Sequence, residues 1–142
     1  MAKSDTQGAR SRARELIVQA LYQKQITGHD QAELREQFHE RPDYRRVDKA
    51  YFDDALKTIC DFQAELETNI DELADRPVGQ LDPIEKGILL LGFYELKSAP
   101  DVPFKVVINE SVNLARRFGA VDGHKYINAV LDRAVKKYRP DA

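Results

Sequence analysis

Asp82-Pro83-Ile84-Glu85-Lys86-Gly87-Ile88-Leu89-Leu90-Leu91-Gly92-Phe93-Tyr94-Glu95-Leu96 carries the clearest helix signals in the chain. Asp82 stands at an N-cap position, Pro83 at the first helical position, and Glu85 where a capping box reaches back to the cap. Ile88, Leu89, Leu91, Phe93 and Leu96 then carry a helix towards Pro100. Downstream, Pro103 opens a second helix with Val106, Val107, Val112, Leu114, Ala115 and Phe118, and Gly119 is placed to stop it. Asp122 can cap a last helix with a stripe at Ile127, Val130, Leu131, Ala134 and Tyr138. The β-branched run Val106-Val107-Ile108 would suit a strand, but the preceding proline and the continuing helical spacing outweigh it.

Upstream the spacing is also helical. Ala13, Leu16, Ile17, Ala20 and Leu21 form one stripe that ends near Gly28, and Ala32, Leu34 and Phe38 form a weaker one before Pro42. Phe52, Ala55, Leu56, Ile59, Phe62, Leu66, Ile70 and Leu73 read as one long helix stopping before Pro77. No stretch alternates as a half-buried strand does. The expectation is an all-α protein of about six helices in two groups divided near Pro77–Asp82. The N-terminal helical half covers about 9–77 and the C-terminal half about 82–139, with residues 1–8 as a flexible tail.

The chain has 142 residues, 42% hydrophobic and 32% charged, enough for one domain with a core of its own. Cys60 is the single cysteine, which excludes a disulfide framework and a Cys-rich zinc module. The longest apolar runs fall far short of a membrane span, and the polar opening Met1-Ala2-Lys3-Ser4-Asp5 lacks a secretory apolar segment. A cytoplasmic protein is expected. His29, His39 and His124 share no metal-ligand spacing with Cys60, and the seven glycines form no phosphate-binding loop. Adjacent carboxylates such as Asp53-Asp54 and Asp71-Glu72 do not share a helix face. Cys60, between Leu56, Ile59 and Phe62, reads as a small buried hydrophobe. No catalytic residue, metal or cofactor is expected, and the protein does not read as an enzyme.

Charge is more informative once divided. Residues 1–25 carry five basic and two acidic side chains, residues 26–102 nine and eighteen, and residues 103–139 eight and three. Two basic ends around an acidic middle are a pattern that a phosphate backbone would complement. Arg10 and Arg14 share one edge of the first stripe and Arg12 the other, while Tyr126, Arg133 and Lys137 line a flank of the last. An aromatic ring among basic residues can stack on an unpaired base, an arrangement suited to single-stranded RNA.

Arg12-Ala13-Arg14-Glu15, Gln19-Ala20-Leu21-Tyr22-Gln23, Asp82-Pro83-Ile84-Glu85-Lys86, Tyr94-Glu95-Leu96, Asp101 through Glu110, Arg117-Phe118-Gly119-Ala120 and His124 through Asp132 follow one another along the chain. In that order they resemble the NusB family of bacterial transcription antitermination factors. The likeness spans nearly the whole chain and is weakest over 26–80. It implies two three-helix subdomains packed together, and binding of boxA RNA together with NusE, a small-subunit ribosomal protein. With other Nus factors that assembly acts on RNA polymerase, notably on ribosomal RNA operons. By position, the resemblance implies RNA contacts from Lys3, Arg10, Arg12, Arg14, Lys125 and Tyr126. It implies partner contacts from Tyr22, Glu85, Asp122 and Tyr126. Glu85 and Asp122 also have helix-capping roles open to them. Ser11 and Leu90 stand where relatives often carry arginine, and Val121, Gly123 and Tyr126 also depart from the commoner residues. The alternatives are a homodimeric helical interaction module with incidental RNA binding, and the RNA-binding region of an rRNA methyltransferase. The latter requires a cofactor-binding domain that these residues do not contain.

Overall fold

The computed structural model describes the backbone of residues 2–142 and the side chains of residues 8–142. Among them the chain is all-α: seven α-helices and two short 3-10 turns, with no strand. The helices are α1 (Ala2–Thr27), α2 (Gln31–His39), α3 (Lys49–Asp61), α4 (Gln63–Leu73), α5 (Pro83–Ser98), α6 (Phe104–Phe118) and α7 (Gly123–Tyr138). The flexible tail expected over residues 1–8 is not what the backbone of residues 2–8 shows, since it is helical and continuous with the rest of α1; Met1 lies outside the described residues. Among the described residues no helix is long and apolar enough to cross a membrane.

The chain divides into two compact units, Met1–Asp61 and Phe62–Ala142, not near Pro77–Asp82 as the sequence spacing implied. The single long helix expected from Phe52 to Leu73 is two helices, broken at Phe62. Phe62 leaves helical geometry at φ −113°, ψ 22°, and its ring is exposed. The physical reason is that the stripe serves two cores. Phe52, Ala55, Leu56 and Ile59 of α3 are buried in the first unit, where α3 packs on α1 and α2. Leu66 and Ile70 of α4 are buried in the second, where α4 packs on α5 and α7. Periodicity is continuous across the break, so spacing alone could not reveal it. The first unit thus has three α-helices and the second four, which corrects the expected three and three.

In the first unit, Asp30 caps α2 by accepting from the Glu33 N–H at 2.9 Å, and Asp48 caps α3 by accepting from the Tyr51 N–H at 3.1 Å. A 3-10 turn at Pro42–Arg46 joins α2 to α3, anchored by buried Tyr44. The Tyr44 ring stacks on His39 and meets Phe52 edge-on. Its phenol is pushed up to about 12, by burial and by the Asp53 carboxylate beside it. Cys60 is half-buried instead of fully enclosed, and burial raises its thiol pKa.

In the second unit α5 is the central helix. Every residue from Gly87 to Leu96 is buried, and α4, α6 and α7 all pack on it. A helix apolar all round belongs at the centre of a core. Its start is the expected one: the Asp82 carboxylate accepts from the Ile84 N–H at 2.8 Å and the Glu85 N–H at 3.0 Å. Gly92 permits the close crossing with α7, since a Cβ there would lie 2.9 Å from Leu131 Cδ2. The far end of α5 is closed by Arg139, whose guanidinium donates to the carbonyls of Glu95, Leu96, Ala99 and Val102. Val106-Val107-Ile108 is helical, within α6, and Gly119 ends that helix by donating its N–H to the Ala115 carbonyl at 2.8 Å.

Candidate nucleic-acid and partner interface

The three arginines of α1 differ in what holds them. Arg10 pairs with Asp48 at 3.2 Å, and its Cζ sits 4.6 Å from the centre of the Tyr51 ring. Arg14 is 3% exposed, with its Cζ 5.5 Å from the same ring. Arg12 donates from Nε to the Arg46 carbonyl at 2.8 Å. Tyr51 is therefore covered by cations, and Arg14 has little surface to offer. Lys3 lies outside the described side chains. Tyr22, in the same unit, is exposed on α1.

In the second unit the chain brings Glu85 and Tyr126 together through a residue that the sequence did not single out. The Arg76 guanidinium carbon lies 4.1 Å from the centre of the Tyr126 ring, and Arg76 Nη2 stands 4.0 Å from Glu85 Oε2. Arg76 lies between the 3-10 turn at Val78–Gln80 and the end of α4, in a segment with no helical pattern to draw attention to it. Glu85 is only 7% exposed. Burial raises its carboxyl pKa above the ordinary range, and the Asp82 carboxylate adds to this, while Arg76 and a main-chain hydrogen bond from Asp82 pull the other way. Its Oε2 is close to the start of α7, 3.4 Å from where a Gly123 Cβ would stand. The Tyr126 hydroxyl is buried, with no hydrogen-bond partner among the described residues.

Asp122 does not cap α7 as expected, since its side chain makes no capping bond. Its backbone is left-handed at φ 66°, ψ 1°, which carries the carboxylate away from the first-turn N–H groups. That carboxylate instead pairs with exposed Lys125 at 3.4 Å. The neighbouring Val121 is 93% exposed, an apolar side chain held out on a tight turn beside two charges. Left-handed backbone at a residue other than glycine is a feature that concentrates at binding sites.

Arg133 and Lys137, grouped with Tyr126 by sequence spacing, serve α4. Arg133 donates to the Leu73 carbonyl at 2.6 Å and faces Asp75, and Lys137 pairs with Glu72. Leu90 is 1% exposed, so that position contributes packing. Among the described residues no group of three or more His, Cys, Asp and Glu side chains could hold a metal ion.

The NusB family profile matches residues 11–136. Transcription antitermination protein NusB of Halorhodospira halophila is 48% identical over 133 residues, covering 94% of this chain and 85% of that one. The protein of the same name from Thiobacillus denitrificans is 45% identical over 132 residues, covering 93% of this chain and 91% of that one. Among solved structures, T. maritima NusB superposes with a TM-score of 0.78 at 24% identity, covering 93% of this chain and 94% of that one. The chain belongs to the NusB family.

Proposed function

We propose that this protein is a transcription antitermination factor that binds boxA RNA together with NusE. In this role it works as a recruitment platform in the cytoplasm. RNA and ribosomal protein each contribute binding energy, and holding them together raises the effective concentration of the next component. With other Nus factors it acts on RNA polymerase, notably on ribosomal RNA operons. No bond-making step is assigned to it.

The observation that carries this reading is the Arg76–Tyr126–Glu85 cluster at the start of α7. It sets an aromatic ring, a fixed guanidinium and a buried carboxylate beside exposed Asp122, Lys125 and Val121. Such a set offers a base-stacking surface, a phosphate contact and an acceptor for a cationic partner. Arg10, Arg12 and Arg14 supply positive charge in the other unit, and Tyr22 an exposed ring.

The test is fluorescence anisotropy of boxA RNA and a scrambled control, with and without NusE, across a salt series. Tighter, sequence-dependent binding in the presence of NusE is expected. Equal weak binding to both RNAs, unchanged by NusE, would overturn the reading.

A further inference from the structure

The acidic middle of the sequence hides a basic segment that the fold returns to α1. Residues 41–49 hold Arg41, Arg45, Arg46 and Lys49 against Asp43 and Asp48. Both carboxylates are taken: Asp43 by Arg41 at 2.8 Å, and Asp48 by Arg10 at 3.2 Å. Arg45 and Arg46 are exposed, and neither has an acidic partner among the described residues. Taken with residues 8–14, the segment holds seven basic and two acidic side chains, a net +5.

The segment is fixed in place. Tyr44 and Val47 are buried on either side of the arginine pair. Asp48 donates its N–H to the Ala9 carbonyl at 2.9 Å, and Arg12 Nε donates to the Arg46 carbonyl at 2.8 Å. These two bonds tie the turn to α1 at residues 9–12, so Arg12, Arg45 and Arg46 belong to one surface. Adjacent guanidinium groups without carboxylates repel one another, and a chain of anions relieves that repulsion most fully. A guanidinium also matches phosphate geometry bidentately.

We infer that Arg45 and Arg46 are phosphate contacts, extending the RNA path of the first unit from α1 onto the 3-10 turn. This rests on the RNA-binding function proposed above. It also assigns the main electrostatic contact to residues of the turn, since Arg10 and Arg14 are already engaged within the unit.

The experiment compares the parent, R45Q/R46Q, R45K/R46K and K105Q/K136Q in boxA RNA anisotropy with NusE present, over a salt series. Circular dichroism and melting confirm that each variant folds. Two lost contacts to single-stranded RNA should make the slope of log K against log salt shallower by about 1.4 for R45Q/R46Q. The lysine pair should restore the slope. K105Q/K136Q, which removes equal charge from the other unit, should leave it unchanged. An unaltered slope in R45Q/R46Q, or an equal change in K105Q/K136Q, would overturn the inference. So would a loss confined to NusE affinity, which would make the turn a protein contact. Failure of the parent itself to bind boxA RNA marks failure of the proposed function, a distinguishable result.

Discussion

Arg10 Nη2 stands 3.2 Å from Asp48 Oδ2, across 38 residues of sequence, and the same Asp48 caps α3 through its other oxygen. One carboxylate therefore starts a helix and holds an arginine expected to meet RNA. Replacing it by asparagine separates the two roles, because asparagine caps as well as aspartate but carries no charge. Asp48→Asn should keep stability within about 0.5 kcal/mol of the parent, since the cap persists. It should also tighten RNA binding two- to fivefold by releasing Arg10. Urea melting and anisotropy together check this, and weaker RNA binding would show that Asp48 orients Arg10 for its contact.

Arg76 stacks on Tyr126 through a planar guanidinium, which lysine cannot imitate. Arg76→Lys should therefore weaken NusE-dependent RNA binding about three- to tenfold while keeping the net charge. Its stability cost should stay near the ~0.5–1 kcal/mol of an exposed cation–π contact. Isothermal titration and thermal melting read the two effects separately.

Glu85 offers a pH signature. Burial and the neighbouring Asp82 raise its pKa on folding, so the folded chain holds this proton more tightly than the unfolded chain. The stability it contributes is fully present below the ordinary carboxylate range and is lost as pH rises through the raised value. At neutral pH the buried carboxyl thus costs stability, and Glu85→Gln should melt ~2–4 °C higher than the parent. The gap should close as pH is lowered through the carboxylate range. A lower melting temperature at pH 7 would show that capping outweighs burial. Loss of NusE affinity alongside higher stability would show a charge kept for binding.

Asp122 sits in left-handed backbone, where glycine is free of Cβ strain. Asp122→Gly should leave stability within about 0.5 kcal/mol, the relieved strain offsetting the more flexible unfolded chain. Loss of a true N-cap would cost about 1 kcal/mol. NusE or RNA affinity should fall regardless, because the carboxylate beside Lys125 is gone. Thermal melting with anisotropy distinguishes the two.

Features set by neighbours a few residues apart are legible without the fold. Helix starts at Asp82-Pro83, stops at Gly28 and Gly119, and the stripes of α1, α5, α6 and α7 are local facts of capping and spacing, and the structure repeats them. The ordered strings from Arg12 to Asp132 were enough to point to the family. Other features exist only once distant segments meet. The break at Phe62 is invisible to periodicity because α3 and α4 keep one phase while filling different cores. The choice between Asp82 and Asp122 as caps turned on a backbone angle that composition does not encode. Arg76 on Tyr126, Asp48 on Arg10 and Arg46 beside Arg12 join residues 34 to 50 positions apart. A charge is defined by its partner as much as by its sign, and partners that distant are set only when the helices pack.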